Sequence, residues 1–273
     1  MPRTRDLYTN GRRWAALRVV LLGHQIAYSA SPAMQAAGFA AAGLDGWTYA
    51  LQDVPPERLG RAVALLRDPD YAGANVTIPH KVRVLEHLDR VDDEARAVGA
   101  VNTIARHGDE LVGMNTDVVG LRAALTEVGV EPRGATAIVL GVGGSSRAAA
   151  VALDGASVTF VARRPEAAGP LQPVLAWSDP GWHELAASAD VLVNATPLGR
   201  QGEEALPPRL EPSGAVVDLV YRKGGTPLTA LARRLGRPCA DGWSILVAQG
   251  GAAFTAWTGR PAPVAAMAAA LDR

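Results

Sequence analysis

The sequence predicts an α/β protein with mostly parallel strands, divided into two domains. Short apolar runs rich in Val, Ile and Ala alternate with longer segments whose apolar residues recur at helical spacing. This alternation is typical of a parallel sheet that is covered by helices. The length of 273 residues also favours two domains, because a domain contains on the order of 150 residues.

The predicted strands are short, apolar and bounded by polar or turn-forming residues, as buried strands of a parallel sheet are. In chain order they are Val19–Leu22, Trp47–Leu51, Ala74–Ile78, Asn102–Ala105, Ala137–Leu140, Ser157–Val161, Asp190–Asn194 and Ala215–Tyr221.

Helices are predicted in most of the intervening segments. In two of them, apolar residues fall at positions i, i+4 and i+7 and form one stripe, which we expect to face the core. These stripes are Leu59, Val63 and Leu66 in the first segment, and Leu121, Leu125 and Val128 in the second.

Local signals also predict where some helices begin and where the domains divide. Ser31 followed by Pro32 predicts a helix that starts with Ser31 as its N-cap. Asn115 or Asp117 is predicted to cap the helix that carries Leu121. The run Glu131–Gly134 breaks the pattern before the next strand, and we place a domain boundary near it.

Charge and cysteine content exclude several classes of protein. The chain has 27 basic and 27 acidic residues, so it lacks the basic surface of a nucleic-acid or membrane-surface protein. Its uncharged run, Val19–Leu44, contains too many polar groups to cross a bilayer. A single cysteine, Cys239, forms neither an internal disulfide nor a thiolate zinc site. We therefore expect a cytoplasmic protein without a metal ion.

A glycine-rich loop indicates a dinucleotide site. The strand Ala137–Leu140 leads into GVGGSS at Gly141–Ser146, and an alanine-rich helix is predicted over Arg147–Leu153. This order of strand, glycine loop and helix is the context of a dinucleotide fingerprint. Gly141 permits the tight turn, and Gly143 lets the backbone approach a pyrophosphate at the start of the helix.

Two arginines favour NADP over NAD. Arg163 and Arg164 end the next strand, and Arg163 follows Gly141 by 22 positions. The residue that contacts the adenosine ribose is expected about 20 positions after the first glycine. A carboxylate there suits NAD, whereas guanidinium groups suit the extra phosphate of NADP. NAD remains an alternative if the arginines only solvate the end of the strand.

Lysine is scarce, and this scarcity draws attention to one motif. Of the 27 basic residues only Lys81 and Lys223 are lysines. Lys81 closes the motif NVTIPHK, Asn75–Lys81. A lysine exchanges a proton near neutral pH when its surroundings tune it, and an arginine does not. Lys81 is therefore a candidate proton donor.

These motifs, in this order and spacing, resemble those of the shikimate dehydrogenase family, and the resemblance extends from about Leu22 to Leu271. The motifs that carry it are SASP (Ser29–Pro32), NVTIPHK (Asn75–Lys81), GAVNTI (Gly99–Ile104), NTD (Asn115–Asp117), GVGG (Gly141–Gly144), NATPLG (Asn194–Gly199), Tyr221 with TPL (Thr226–Leu228), and DG (Asp241–Gly242) with Gln249 and WTG (Trp257–Gly259).

The resemblance implies an enzyme that reversibly reduces 3-dehydroshikimate to shikimate with NADPH, a step in chorismate and aromatic amino-acid biosynthesis. It implies an N-terminal α/β substrate domain and a Rossmann-like dinucleotide-binding domain, with a cleft between them. We assign residues 1–117, completed by C-terminal helices at about 248–273, to the substrate-binding and catalytic domain. Residues 118–247 are assigned to the NADP-binding domain.

The resemblance also implies roles for individual residues. Lys81 and Asp117 match the catalytic pair, in which the lysine meets the developing oxyanion and donates a proton while the aspartate orients the amine. The residues matching substrate contacts are Ser29, Ser31, Thr77, Asn102, Tyr221 and Gln249. The residues matching cofactor contacts are Gly141, Gly143, Gly144, Arg163, Asn194 and Thr196, and Arg164 is added because it adjoins Arg163 at the expected distance from Gly141.

Two alternative functions stay open. Tyr28 and Trp243 depart from the pattern of the family, which is compatible with a paralogue that oxidises quinate or an amino-substituted relative. In a different class, the fold would serve a non-catalytic sensor of a dinucleotide or metabolite, although a pure binding site has no need of Lys81 and Asp117. We expect a small-molecule substrate, no nucleic-acid or membrane partner, and either a monomer or a homodimer.

Overall fold

A computed structural model describes residues 16–200 and 210–272. The chain divides into two compact units. The first consists of the residues up to Asp92, Val101–Met114 and Gly250–Leu271, and the second of Asp93–Ala100, Asn115–Gln249 and Asp272. The predicted α/β class is confirmed, because each unit contains a sheet with helices packed on it.

The sheet of the first unit combines parallel and antiparallel pairs. Its strands are β1 (Arg18–Gly23), β2 (Thr48–Asp53), β3 (Tyr71–Val76), β4 (Arg90–Val91), β5 (Thr103–His107) and β6 (Glu110–Met114), in the spatial order β2-β1-β3-β5-β6-β4. Strands β2, β1 and β3 are parallel, so their carboxyl ends share one edge. Strand β5 runs antiparallel to β3 and therefore begins at that edge.

Helices cover this sheet with an aromatic core. They are α1 (Ser31–Ala41), α2 (Leu59–Leu65), α9 (Val264–Ala269) and the later part of α8 (Gly242–Thr258). The ring of Phe39 lies 5.3 Å from that of Trp47 and 5.6 Å from that of Phe254. Helix α1 approaches α9 closely at Gly38, where a Cβ would lie 3.1 Å from Cγ of Met267.

The sheet of the second unit is parallel and has helices on both faces. Its strands are β7 (Thr136–Leu140), β8 (Ser157–Ala162), β9 (Val174–Ala176), β10 (Val191–Asn194), β11 (Ala215–Asp218) and β12 (Cys239–Ala240), in the order β12-β11-β10-β7-β8-β9. The helices of this unit are α3 (Asp93–Val98), α4 (Asp117–Glu127), α5 (Gly144–Ala152), α6 (Gly181–Ser188), α7 (Pro227–Arg234) and the first part of α8.

Alternate residues of the central strands enter two separate cores. Ala137 and Val139 of β7 belong to one apolar cluster, while Ile138 and Leu140 belong to the other. Because successive side chains of a strand point to opposite faces, both faces of this sheet are buried. The strand order reverses direction beside β7, and ligands of such Rossmann-like sheets bind at that point, outside the carboxyl ends.

Several predicted boundaries differ from those observed. Strand β3 ends at Val76 rather than at Ile78, because its pairing with β1 stops there and Ile78 is exposed. Strand β11 ends at Asp218 rather than at Tyr221, because the Asp218 carboxylate accepts the N–H of Val220 and turns the chain. The alanine-rich helix α5 begins at Gly144, ahead of the predicted start at Arg147.

The predicted helix caps were wrong. Helix α1 has Ala30 as its N-cap, and Ser31 has joined the helix because Oγ of Ser29 accepts the N–H of Ser31 at 3.3 Å. The N-cap of α4 is Thr116, which makes no side-chain capping bond, and Asp117 is the first helical residue. Nδ2 of Asn115 instead donates to the carbonyl of Ala100 at 2.8 Å.

All residues of both apolar stripes are buried as predicted, and the last residue of each stripe, Leu66 or Val128, directly follows α2 or α4. The strands that the sequence did not predict are β4, β6, β9 and β12. Three of them have only two or three residues, too few for a periodic pattern. Among the described residues, no helix has both the length and the apolar character needed to cross a membrane.

Gly73→Ala tests how tightly β3 packs in the first unit. A Cβ at Gly73 would lie 2.0 Å from the carbonyl oxygen of Ile104 and 2.9 Å from the indole of Trp257. We expect a loss of about 3 kcal/mol or more in the free energy of unfolding, measured with urea, because backbone must move.

Gly108→Ala is the matched control. Gly108 has φ +63, and a Cβ there would meet nothing within 4 Å, so only the left-handed conformation is penalised, by about 1 kcal/mol. Equal losses in the two variants would contradict the proposed steric cause.

Candidate active site

In the first unit, the predicted catalytic lysine lies in a turn that follows β3. Lys81 is half-buried, and its carbonyl accepts the N–H of Val101 at 2.8 Å. The N–H of His80 donates to the carbonyl of Thr77 at 2.8 Å, which closes the turn. The backbone of Lys81 is therefore held between the end of β3 and the start of β5.

The buried side chain of His80 holds this turn in place. Its ring is completely buried, and Nε2 donates to the carbonyl of Val54, at 2.7 Å, in the segment that follows β2. Nδ1 of His80 is buried without a hydrogen-bond partner among the described residues. The bond to Val54 therefore ties the turn that carries Lys81 to the segment beyond the neighbouring strand.

The other predicted residues of this unit lie at the same edge of the sheet. Ser29 and Ser31 follow β1, Thr77 follows β3, and Asn102 precedes β5. Ser31 and Asn102 are buried, and Oδ1 of Asn102 accepts the hydroxyl of Thr103 at 3.0 Å. The structure therefore brings these four residues to the edge at which the turn with Lys81 also lies.

A glycine explains how closely these loops approach one another. A Cβ at Gly23, the last residue of β1, would lie 2.5 Å from Cγ2 of Thr77 and 2.6 Å from Cγ2 of Ile26. The N–H of Thr77 also donates to the carbonyl of Leu22 at 2.9 Å. Thr77 is consequently held against β1, and Gly23 is the residue that leaves room for it.

In the second unit, the glycine turn has the shape expected of a phosphate site. Gly141 has φ +106, which favours glycine, and its N–H donates to the carbonyl of Val161 at 2.8 Å. Gly143 is the N-cap of α5, which has no side-chain cap, and a Cβ at Gly143 would meet nothing within 4 Å. Uncapped N–H groups and open space beside the backbone fit a pyrophosphate.

The two predicted phosphate-binding arginines lie at the neighbouring strand end. Arg163 and Arg164 follow directly after β8, and both are exposed. Because β7 and β8 are parallel neighbours, the arginines and the glycine turn leave the same edge of the sheet. This edge therefore presents exposed guanidinium groups next to a turn that fits a pyrophosphate.

Asn194 is engaged in internal hydrogen bonds. It is completely buried, and its Nδ2 donates to Oδ1 of Asp218 at 2.9 Å. Its Oδ1 accepts the N–H of Thr196 at 3.1 Å and the hydroxyl of Thr196 at 2.6 Å. Thr196 in turn lies beside the glycine turn, since a Cβ at Gly141 would be 3.1 Å from its Cγ2.

Asp218, which no sequence motif singled out, is linked to Thr196 through Asn194. It is completely buried, and burial raises the pKa of its carboxyl from 3.8 to about 6. Hydrogen bonds from Thr226, the N–H of Val220 and Asn194 act in the opposite direction, and the charge of Asp241 raises the pKa further. An aspartate at the end of an otherwise apolar strand was the available signal.

The remaining predicted residues also lie in the second unit. Tyr221 is half-buried, with its ring 4.9 Å from that of Trp243. Asp117 is buried at the start of α4, one turn before Gly120. There α4 meets α8 closely, because a Cβ at Gly120 would lie 2.9 Å from the carbonyl oxygen of Ile245 and 3.3 Å from Cβ of Gln249.

The predicted residues are thus divided between the two units. The first unit holds Ser29, Ser31, Thr77, Lys81 and Asn102, and the second holds Asp117, Gly141, Gly143, Gly144, Arg163, Arg164, Asn194, Thr196, Tyr221 and Gln249. In the described part of the chain, no three His, Cys, Asp or Glu side chains are grouped so as to hold a metal ion.

Comparison with known proteins matches the chain to shikimate dehydrogenases. The family described as "Shikimate dehydrogenase substrate binding domain" matches residues 21–104, and "Shikimate 5'-dehydrogenase C-terminal domain" matches residues 242–271. The shikimate dehydrogenase (NADP(+)) of Rubrobacter xylanophilus is 45% identical, with 93% of this chain and 95% of that protein covered. That of Moorella thermoacetica is 42% identical, with 91% and 90% covered.

Solved structures agree with this result. The shikimate 5-dehydrogenase of Thermus thermophilus, in complex with NADP(H) and shikimate, superimposes with a TM-score of 0.82 at 38% identity. The superposition covers 93% of this chain and 98% of that one.

Asp218→Asn tests the electrostatics of the second unit. Between pH 3.8 and about 6 the folded protein holds a proton on Asp218 that the unfolded chain releases. The contribution of this proton to the free energy of unfolding is complete below pH 3.8 and is lost as the pH rises through about 6. Relative to Asp218→Asn, we expect the wild type to lose about 2 kcal/mol of unfolding free energy between pH 4 and 7, measured with urea.

Asp190→Asn is a control of opposite sign. The N–H and hydroxyl of Thr136 donate to Asp190 and lower the pKa of its carboxyl. Its contribution to stability is therefore present at neutral pH and is lost as the pH falls. Parallel pH profiles for the wild type and Asp218→Asn would contradict the expectation for Asp218.

Proposed function

The chain belongs to the shikimate dehydrogenase family, and from that membership we propose that it reversibly reduces 3-dehydroshikimate to shikimate with NADPH in chorismate and aromatic amino-acid biosynthesis. The observation that carries the proposal is that each unit presents part of the required chemistry at an edge of its sheet. The first unit presents Lys81 beyond β3, and the second presents the glycine turn Gly141–Gly144 beyond β7, with open space at Gly143.

The chemistry divides between cofactor and side chains. NADPH, when bound, supplies the hydride that reduces the ring carbonyl carbon. As the carbonyl oxygen becomes negative, the Lys81 ammonium stabilises it and donates the proton that completes the hydroxyl. Asp117 accepts a hydrogen bond from the substrate hydroxyl and orients the amine of Lys81 toward the same oxygen. In the oxidative direction, Lys81 accepts the same proton.

The substrate contacts are assigned by their chemistry. Ser29, Ser31, Thr77 and Asn102 supply hydroxyl and amide groups from the first unit, and Tyr221 and Gln249 supply them from the second. Such neutral donors and acceptors match a substrate with one carboxylate and several ring hydroxyls. We propose that these side chains hold the carboxylate and the hydroxyls.

For NADP, we propose that Gly141, Gly143 and Gly144 present backbone N–H groups to the pyrophosphate. Arg163 and Arg164 bind the phosphate on the adenosine ribose, because guanidinium groups pair well with phosphate. Thr196 contacts the cofactor beside the glycine turn, and Asn194 belongs to the same site through its bonds to Thr196. The residue types at this edge therefore favour NADP over NAD.

We assign residues 1–117, with about 248–273, as the substrate-binding and catalytic domain and residues 118–247 as the NADP-binding domain. An NADPH-dependent biosynthetic step and a single unpaired cysteine, Cys239, support a cytoplasmic enzyme. We propose a monomer or a homodimer, which light scattering of the purified protein distinguishes.

Lys81→Ala tests the proton donor. We expect kcat for shikimate oxidation to fall by about 10²- to 10⁴-fold, followed by the absorbance of NADPH, because general-acid or general-base catalysis is lost. The chain offers a matched control in its other lysine. Lys223 is exposed and pairs with Asp272 at 2.6 Å, so Lys223→Ala is expected to change kcat by less than about twofold.

Wild-type turnover in Lys81→Ala would refute the role of this residue. Assays of the wild-type enzyme with quinate and amino-substituted analogues test the proposed substrate. Faster turnover of one of these compounds would show that it, rather than shikimate, is the substrate. If shikimate and NADP both bind without any change in nicotinamide absorbance, the protein is a sensor and not an enzyme.

Arg163→Ala tests the cofactor assignment. We expect KM for NADP to rise about 10- to 100-fold, the effect of losing a hydrogen bond to a charged group, while KM for NAD stays unchanged. Arg164→Ala is expected to shift KM in the same direction. An equal effect of Arg163→Ala on NADP and NAD would show that the side chain does not read the extra phosphate.

A further inference from the structure

Asp218 lies where two neighbouring parallel strands end. It is the last residue of β11 and stands opposite Asn194, the last residue of β10, in the register of the sheet. Both side chains are completely buried. A buried carboxyl is costly unless its oxygens accept hydrogen bonds, so its partners indicate what the residue does.

The two carboxylate oxygens have different partners. Oδ1 accepts Nδ2 of Asn194 at 2.9 Å and the N–H of Val220 at 3.0 Å. Oδ2 accepts the hydroxyl of Thr226 at 2.5 Å. Thr226 is the N-cap of α7, and its Oγ1 also accepts the N–H of Thr229 at 3.1 Å. Asp218 therefore connects the end of β10, the chain beyond β11 and the start of α7.

The contact with Asn194 fixes the orientation of an amide. An asparagine side chain has a donating end and an accepting end, and a flip exchanges them. Nδ2 of Asn194 donates to Oδ1 of Asp218 at 2.9 Å and, at the longer distance of 3.3 Å, to the carbonyl of Leu198. These acceptors turn Nδ2 away from the N–H of Thr196 and leave Oδ1 of Asn194 facing it. In the flipped state, Nδ2 would face the N–H of Thr196, which is also a donor.

The orientation of Asn194 in turn fixes the loop beside the glycine turn. Oδ1 of Asn194 accepts both the N–H and the hydroxyl of Thr196, and Oγ1 of Thr196 accepts the N–H of Leu198 at 3.2 Å. The backbone is tied at the same point, since the N–H of Ala195 donates to the carbonyl of Leu140 at 3.0 Å. Thr196 is thereby held against Gly141.

We propose that Asp218 is a positioning residue for cofactor binding, which acts by holding the Asn194 amide in the one orientation that orders the loop Ala195–Leu198 against the glycine turn. The proposal rests on the proposed function only for the identity of the cofactor as NADP. Asp218 itself is buried beneath the loop and acts on the site through Asn194.

Substitutions at Asp218 separate the acceptor from the charge. Asp218→Asn retains an oxygen that accepts from Asn194, and its amide is able to donate to Oγ1 of Thr226. Asp218→Leu has a similar size and accepts nothing. We expect Asp218→Leu to raise the Kd for NADP⁺ about tenfold, measured by calorimetry, because one net hydrogen bond is lost. Asp218→Asn is expected to remain within about threefold of the wild type.

Asp190→Asn is the matched control for general loss of stability. Asp190 precedes the amino end of β10, and its Oδ2 accepts the N–H and the hydroxyl of Thr136, both at 2.8 Å. It thus joins neighbouring strands as Asp218 does, at the opposite end of the sheet. We expect Asp190→Asn to weaken folding while leaving the Kd for NADP⁺ within about twofold.

The outcomes distinguish the inference from its premise. Three results would each overturn the positioning role. The Kd for NADP⁺ is unchanged in Asp218→Leu, or it rises equally in Asp190→Asn, or Asp218→Asn binds NADP⁺ as weakly as Asp218→Leu does. If Asp218→Leu does not fold, Asp218→Ser repeats the test, because its shorter side chain does not reach Asn194. A wild-type protein that does not bind NADP⁺ would instead refute the proposed cofactor.

Discussion

Parallel strand pairing is the constraint on which the site in each unit depends. Parallel neighbours end at the same edge, so segments that are distant in the sequence leave the sheet side by side. In the second unit this places the turn at Gly141, the arginines after β8 and the loop after β10 at one edge. In the first unit it places the segments after β1 and β3 together, and the antiparallel β5 starts beside them.

Polar side chains at these strand ends mostly hold backbone segments in place. Nδ2 of Asn75 donates to the carbonyl of Asn102 at 3.1 Å, and Oδ1 of Asn75 accepts the hydroxyl of Tyr49 at 2.8 Å. Asn194 acts similarly toward Thr196. Buried polar groups must be satisfied, so these asparagines order the loops while the exposed turn and arginines remain available to a ligand.

Residues proposed to contact ligands were predictable from the sequence, whereas a residue that acts through its hydrogen-bond partners was not. Lys81 stood out because lysine is rare in this chain, and Arg163 stood out because of its distance from Gly141. Asp218 gave no comparable signal, since its role depends on Asn194 and Thr226, which are separated from it by 24 and 8 positions. Hydrogen-bond partners of this kind are chosen by the sheet register, which a local pattern does not contain.

The sequence alone determined the α/β class, the apolar stripes of α2 and α4 and the glycine turn at Gly141, because helical periodicity and glycine conformation are local properties. Only the tertiary structure decided that Asp218 accepts an N–H of Asn194 and that Asp190 accepts the N–H of Thr136, because these partners are 24 and 54 positions apart. The physical reason is that a side-chain acceptor competes for whichever N–H groups the fold brings near it, and burial determines which of those bonds must form.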